Sequence, residues 1–267
     1  MKLFQTVYNV TYTPAEAVIA AKYSMLIVKQ PPLPGASLTT LVQWITSIKA
    51  INPSCKVLTY LMTAQEPGIT APGSGDKILM NWASYEPFIE EPWLMTASGD
   101  VTAYVESVWK VRRLFDYRKP VWQSLFKSAA ATILNAYQFD GIFFDNCTAN
   151  WAKHAPHNPT LAAGLQTTLL DIRRSYPDKL FIGNCSENWM GLNGEMSEGA
   201  VVNPLVLELK NGQTYPNMNC YYAPVTISTP DADIAAKYNI AKSKDAWFGV
   251  YDATRPVFWP SVFDTLT

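Results

Sequence analysis

Eight short runs with strand-like composition recur along the chain, and helix-like stretches separate several of them. The runs begin near residues 3, 23, 55, 139, 179, 194, 218 and 246, and the helix-like stretches span 14–22, 38–52, 120–137, 160–177 and 231–244. Parallel strands need crossover connections, so this alternation predicts an α/β fold with a parallel sheet. Eight such units in 267 residues favour a closed (β/α)8 TIM barrel. An open, doubly wound sheet is the alternative, but no glycine-rich nucleotide-binding pattern follows an early strand.

The chain shows no second-domain boundary and no internal repeat, so a single domain is expected over residues 1–267. Residues 64–117, between the third predicted strand and the next helix, are too many for a simple connection. We therefore predict an elaborated loop insertion over 64–117 that covers the C-terminal face of the barrel.

The charge and cysteine content exclude several classes of partner. Charged residues make up 16% of the chain, the formal net charge is −1, and no basic run occurs, so neither nucleic acid nor a membrane surface is an expected partner. No apolar stretch approaches the ~18 residues of a membrane span. The four cysteines lack CxxC spacing and only two histidines accompany them, so we predict reduced thiols and neither a metal nor a cofactor. Nothing in the composition indicates an oligomeric state.

The predicted fourth strand, FDGIFFDN (139–146), has one aspartate at each end. Strand alternation places Gly141, Phe143 and Asp145 on one face and Asp140 on the other. In a TIM barrel the chemistry lies at the C-terminal ends of the strands. Asp145 is therefore the candidate catalytic residue, with an aspartate that only satisfies loop amides as the alternative. Asp140 is interpreted as a structural cap or an ion-pair partner at the opposite end.

A second acidic residue, Glu198, ends the sixth predicted strand. If Met196 and Glu198 share a face, the carboxyl group of Glu198 faces Asp145 across the barrel mouth; a salt bridge within a loop is the alternative. Two carboxyl groups across a pocket are what glycosidic cleavage requires, since one stays ionised and the other protonates the leaving oxygen. Asp145 and Glu198 are thus the predicted catalytic pair.

Further polar and aromatic residues lie near the predicted strand ends. The fifth strand is followed by a polar stretch that suits sugar binding, although it is also ordinary loop chemistry; it contains Asn184, Glu187 and Trp189. Four aromatic residues are candidate sugar platforms, with packing as the alternative for each: Trp151, Trp189, Tyr221 and Tyr222. Asn146 and Asp252 complete the predicted substrate-binding residues.

Several segments between residues 55 and 200 carry a resemblance to a known family: KVLTYLMTAQEPG, EPWLMTASGDVT, LFDYRKPVWQSLFKSAAATILNAYQFDGIFFDN and MSEG. They resemble the TIM-barrel glycoside hydrolases related to the endo-α-1,4-polygalactosaminidase group. The resemblance implies that Asp145 is the nucleophile or base and Glu198 the general acid. It also implies that Tyr60, Glu66 and Trp93 line the site, and that the substrate is a polysaccharide or oligosaccharide with α-linkages.

Two other interpretations stay open. The first is a non-catalytic barrel that binds glycans or serves as a structural module of a larger assembly such as a phage particle. The second is a barrel lyase or isomerase with Asp145 as base. The first residues alternate instead of forming the apolar core of a signal peptide, so the expected location is the cytoplasm, or release by lysis, or the virion.

Overall fold

The computed structural model describes most of the chain, in ranges separated by gaps: residues 2–7, 11–28, 38–63, 65–66, 103–106, 110–148, 159–184, 191–198, 220–224, 229–251 and 257–266.

Eight parallel strands close into a barrel, which confirms the (β/α)8 prediction. Each strand coincides with one of the eight runs predicted from the sequence. Around the barrel the strands are β1 (Leu3–Val7), β2 (Met25–Val28), β3 (Lys56–Met62), β7 (Gly141–Asp145), β8 (Leu180–Asn184), β9 (Gly194–Glu198), β10 (Cys220–Pro224) and β11 (Trp247–Tyr251).

Helices lie between several of the strands, at the predicted positions. They are α1 (Pro14–Ala20), α2 (Leu38–Ile51), α3 (Pro120–Ala136), α4 (Pro159–Ser175) and α5 (Asp231–Ser243), and a 3-10 turn follows at Ser261–Asp264. The start of α1 is fixed by a capping box, in which the side chains of Thr13 and Glu16 each accept a hydrogen bond from the other's backbone N–H.

The segment between β3 and α3 contains a small antiparallel sheet of its own. Its strands are β4 (Gln65–Glu66), β5 (Ala103–Glu106) and β6 (Lys110–Leu114), in the order β4-β6-β5. The long elaboration after the third barrel strand is therefore confirmed. Its position over the C-terminal face of the barrel stays a prediction.

The two faces of the barrel sheet have different neighbours. On the outer face, the ring of Phe144 lies 5.6 Å from that of Phe126 in α3, and the ring of Phe248 lies 5.9 Å from that of Tyr238 in α5. The opposite face fills the interior, where the ring of Phe4 occupies the space beside Gly249. A Cβ atom at Gly249 would lie 2.0 Å from Cζ of Phe4.

The strand register defines the height of each residue in the barrel. Consider a path that moves from a residue to its register partner on the next strand, advances by one residue toward the C-terminus, and repeats this step on every strand. After one circuit of the barrel the path returns to the residue where it began. It passes through Thr6, Val28, Tyr60, Phe144, Asn184, Ser197, Tyr222 and Val250 and returns to Thr6. A one-residue advance on each of eight strands is the shear of a TIM barrel, in which alternate strands contribute the inward positions of one layer. Thr6, Tyr60 and Asn184 therefore belong to the same interior layer.

Asp140 directly precedes β7 and ties it to the neighbouring elements at the N-terminal end of the barrel. The carboxylate of Asp140 accepts hydrogen bonds from Lys49 Nζ at 2.5 Å and from the backbone N–H of Val57 at 2.7 Å. This confirms that Asp140 is a structural ion-pair partner.

A buried arginine fastens the chain that leads from β8 into β9. The guanidinium of Arg173 donates to the backbone oxygens of Gly191 (2.8 Å), Pro177 (3.1 Å) and Lys179 (2.7 Å), and to Oδ1 of Asn193 (2.5 Å). It also lies 4.5 Å from the ring centre of Phe181. These contacts bring β9 in beside β8.

Cys55, Cys147 and Cys220 are buried and form no disulfide within the described residues, and Cys185 lies outside them. Burial raises the pKa of the Cys55 thiol to about 12.

Candidate active site

Asp145 is the last residue of β7, at the C-terminal end of the fourth barrel strand. Its backbone oxygen accepts a hydrogen bond from the N–H of Thr63 at 2.9 Å, so the pairing with β3 continues to the end of the strand. The next residue, Asn146, has a φ of 48°, a left-handed conformation that asparagine tolerates better than most residues. The chain therefore turns immediately after Asp145 and leaves the carboxylate at the barrel mouth.

Both oxygens of the Asp145 carboxylate accept a hydrogen bond from a neighbouring strand. The phenol of Tyr60 in β3 donates to Oδ2, and Nδ2 of Asn184 in β8 donates to Oδ1 at 2.7 Å. Tyr60 is 5% exposed and Asn184 is 3% exposed, whereas Asp145 is only partly buried. Two buried neutral donors thus hold a carboxylate that remains accessible.

The residues directly after Asp145 are tied to the surrounding elements. The N–H of Cys147 donates to the backbone oxygen of Asn184 at 2.9 Å, and the phenol of Tyr117 donates to the backbone oxygen of Thr148 at 3.0 Å. Nδ2 of Asn146 lies 3.2 Å from the sulfur of Met62. Sequence reasoning missed the contributions of Tyr117 and Met62, because no motif distinguishes them from other buried residues.

Glu198 is the last residue of β9, as expected for an acid at a strand end. It follows Ser197 by one residue, as Asp145 follows Phe144, and Ser197 and Phe144 are members of the same closed register circuit. The Cα atoms of Asp145 and Glu198 therefore lie at the same height on the fourth and sixth barrel strands. The interaction of the two carboxyl groups stays a prediction.

The other predicted site residues fall into two groups. For some, the structure describes backbone position alone: Glu66 in β4, and Tyr221 and Tyr222 in β10, with Tyr222 the register partner of Glu198. The rest lie outside the described residues: Trp93, Trp151, Glu187, Trp189 and Asp252. Of the predicted substrate-binding residues, the structure brings Tyr60 and Asn184 into contact with Asp145.

The interior layer below Asp145 contains further polar residues. Thr6 of β1 belongs to it together with Tyr60 and Asn184, and it is 4% exposed. Among the described residues, its buried hydroxyl oxygen has no hydrogen-bond partner, in contrast to the groups that hold Asp145.

Comparisons with known proteins give structural matches only. No protein-family model and no curated protein sequence matches the chain. The glycoside hydrolase domain of PelA from Pseudomonas aeruginosa is 10% identical with a TM-score of 0.62, over 93% of each chain. The α-galactosidase TtGalA from Thermus thermophilus is 9% identical with a TM-score of 0.62, over 99% of this chain and 60% of that one. The maltogenic α-amylase AmyB from Thermotoga neapolitana is 10% identical with a TM-score of 0.56, over 98% and 74%.

The chain shares the barrel fold of glycoside hydrolases. At this level of identity the likeness concerns the fold, and the chemistry has to be argued from the residues at the barrel mouth.

In the part of the chain that the structure describes, no three histidine, cysteine, aspartate or glutamate side chains are grouped so that they could hold a metal ion. Within the same residues, no helix combines the length and the apolar character that crossing a membrane requires.

Proposed function

We propose that this chain is a glycoside hydrolase that cleaves an α-linked polysaccharide or oligosaccharide with Asp145 and Glu198 as its two carboxyl groups. Asp145 is the group that stays ionised and acts as nucleophile or base. Glu198 is the general acid that protonates the leaving oxygen.

The observation that carries the proposal is the environment of the Asp145 carboxylate. It lies at the C-terminal end of a barrel strand, is partly accessible, and accepts hydrogen bonds at both oxygens from Tyr60 and Asn184. Donors to a carboxylate favour its charged form, which is the form that a nucleophile or base needs.

The structural neighbours support the choice of substrate class. They carry the names glycoside hydrolase domain, α-galactosidase and α-amylase, and the α-galactosidase was solved with p-nitrophenyl α-D-galactopyranoside bound. The family resemblance of the motifs around Asp145 points the same way, toward a polymer of α-linked galactosamine or a related sugar. We therefore place α-galactosides and α-1,4-linked galactosamine oligomers first among the substrates to test.

The reaction breaks the bond between the anomeric carbon and the leaving oxygen, which takes a proton from Glu198. If Asp145 is the nucleophile, its carboxylate forms an ester with the anomeric carbon, and water then hydrolyses this ester with Glu198 as base. If Asp145 is the base, it takes a proton from a water molecule that attacks the anomeric carbon directly.

The sugar rings would rest on the aromatic residues near the strand ends, with polar residues around them. We assign this role to Tyr60, Glu66, Trp93, Asn146, Trp151, Asn184, Glu187, Trp189, Tyr221, Tyr222 and Asp252. Flat ring faces and neighbouring carboxylates or amides are suited to the two faces and the hydroxyl groups of a sugar.

A panel of α- and β-linked oligosaccharides, with release of reducing ends as the readout, tests the proposal. Asp145→Asn and Glu198→Gln should each lower turnover about 10²- to 10⁴-fold and leave the thermal midpoint nearly unchanged. Asp178→Asn is the matched control, because Asp178 is exposed in the turn before β8 at the other end of the barrel. This control should keep full turnover.

Two results would count against the assignment. Full turnover of both variants on a confirmed substrate would remove Asp145 and Glu198 from the chemistry. Binding of a glycan without release of any reducing end would instead identify a non-catalytic barrel.

A further inference from the structure

We infer that Tyr60 and Asn184 form a positioning pair that sets the orientation of the Asp145 carboxylate. This inference rests on the proposed function and assigns the two residues to Asp145 in addition to the substrate. Each residue acts on the reaction by holding the Asp145 carboxylate. This positioning role does not require contact with the sugar.

The first support is that the two donors use different oxygens of the same carboxylate. Tyr60 donates to Oδ2 from β3 on one side, and Asn184 donates to Oδ1 from β8 on the other. A side chain held at both oxygens from opposite sides cannot rotate about its terminal torsion without breaking a bond. The plane of the carboxylate is thereby fixed before substrate arrives.

The second support is that the backbone fixes the positions of both donors. Phe143 of β7 is the register partner of Tyr60, and the rings of these two residues lie 5.9 Å apart. On the other side, the N–H of Cys147 donates to the backbone oxygen of Asn184 just beyond the paired strands. The three strands β3, β7 and β8 therefore carry donor, acceptor and donor as one rigid unit.

The third support is burial. Tyr60 and Asn184 are almost fully buried, so the surrounding barrel holds their side chains in place, while the hydrogen bonds they make to Asp145 are part-buried. Hydrogen bonds to a charged group are stronger than those between neutral groups. Losing one donor therefore loosens the carboxylate, because a water molecule in its place is not held by the barrel.

Another polar residue of the same layer, Thr6, provides an internal control. Its hydroxyl oxygen is buried, but it has no hydrogen-bond partner in the part of the chain that the structure describes. Thr6→Val removes a hydroxyl from this layer without removing a contact to Asp145. Tyr60→Phe removes a hydroxyl that does contact Asp145, and it keeps the ring.

The kinetic test compares Tyr60→Phe, Asn184→Asp and Thr6→Val. We expect kcat to fall about 10- to 100-fold in Tyr60→Phe, with KM changed much less, because one charge-assisted hydrogen bond is lost. Asn184→Asp should lower kcat as well, since it replaces the second donor with a carboxylate that repels Asp145. Thr6→Val should keep the wild-type kcat and KM. A wild-type kcat in Tyr60→Phe, or a loss that lies in KM alone, would overturn the inference.

A second measurement is independent of turnover. The carboxyl carbon of Asp145 is followed by NMR at one fixed pH in protein labelled with carbon-13 at aspartate carboxyl groups, and the signal is assigned by its loss in Asp145→Asn. Its chemical shift should change in Tyr60→Phe and Asn184→Asp but not in Thr6→Val, because only the first two variants remove a hydrogen bond to the carboxylate. An unchanged chemical shift in both variants would overturn the inference even if the enzyme is active. A changed chemical shift in a protein that cleaves no glycan would support the positioning pair and refute the proposed function.

Discussion

Arg173 in α4 is expected to stabilise the barrel between β8 and β9, where the structure describes no helix. Its guanidinium donates to three backbone oxygens and to Oδ1 of Asn193, and so holds residues 177–179 and 191–193 against α4. Arg173 is 4% exposed, and its contacts to Gly191 and Asn193 are buried. Replacing it with methionine keeps most of the aliphatic stem and removes the charged donors.

The expected loss can be worked out from the fate of each acceptor. Oδ1 of Asn193 keeps a second partner, the N–H of Phe181 at 2.8 Å, so it is not orphaned. The contacts to Pro177 and Lys179 are only part-buried, so water can replace the guanidinium there. The oxygen of Gly191 loses a buried partner, which costs about 1–3 kcal/mol. With partial losses at the other sites, Arg173→Met should lower the free energy of unfolding by about 2–4 kcal/mol.

The measurement is urea unfolding, with Arg174→Met as the control. A loss of about 3 kcal/mol corresponds to a shift of about 1 M in the urea midpoint if the slope is near 3 kcal/mol per M. Arg174 is the neighbouring residue, its side chain is 73% exposed, and its contact to Asp171 is 3.5 Å long, so its replacement should change stability by less than about 0.5 kcal/mol. If the two variants unfold at the same urea concentration, the interpretation of Arg173 as a clamp is wrong.

Two further predictions concern the barrel interior and a buried thiol. Gly249→Ala should lower the thermal midpoint because its new methyl group meets the ring of Phe4, and the same change made in a Phe4→Leu background should cost less; equal costs in both backgrounds would refute the contact. The Cys55 thiol should resist iodoacetamide at pH 8 in the folded protein and react after unfolding. Because its pKa is about 12 when folded and lower when unfolded, the unfolded state releases the proton first, so stability should fall as pH rises from about 9 toward 12. Cys55→Ala should show a smaller alkaline loss, and an identical loss would contradict the assignment.

The barrel itself was predictable because its strands carry a strong local signal. Both faces of a strand in a parallel barrel are buried, so a strand such as β7 is a continuous apolar run with a polar residue at its end. The same signal located Asp145. The strands of the insertion gave no such signal, since β4 has two residues and β6, with the sequence KVRRL, is largely basic. These strands belong to a small antiparallel sheet, and strands of two to five residues are too short to show a clear hydrophobic periodicity in the sequence.

The contacts of Asp145 were not predictable in the same way. Asn184 reaches Asp145 because the register of β7 and β8 places the two strand ends side by side. Register depends on how the barrel closes, and no local pattern in either strand encodes it. Tyr60 was connected with the site through a family resemblance and was assigned to substrate, whereas its observed partner is the carboxylate.

The two aspartates that flank β7 differ in what neutralises them, and this difference bears on function. Asp140 is paired with the cation of Lys49, so its charge is compensated within the fold. In the described part of the chain, the partners of the Asp145 side chain are a phenol and an amide, which stabilise the charge without cancelling it. A strand end that served only stability would gain from a compensating cation or from an apolar residue. Within the described residues no cation compensates Asp145, and a negative charge at the barrel mouth is what the proposed glycosidase requires, because positive charge develops on the sugar ring in the transition state.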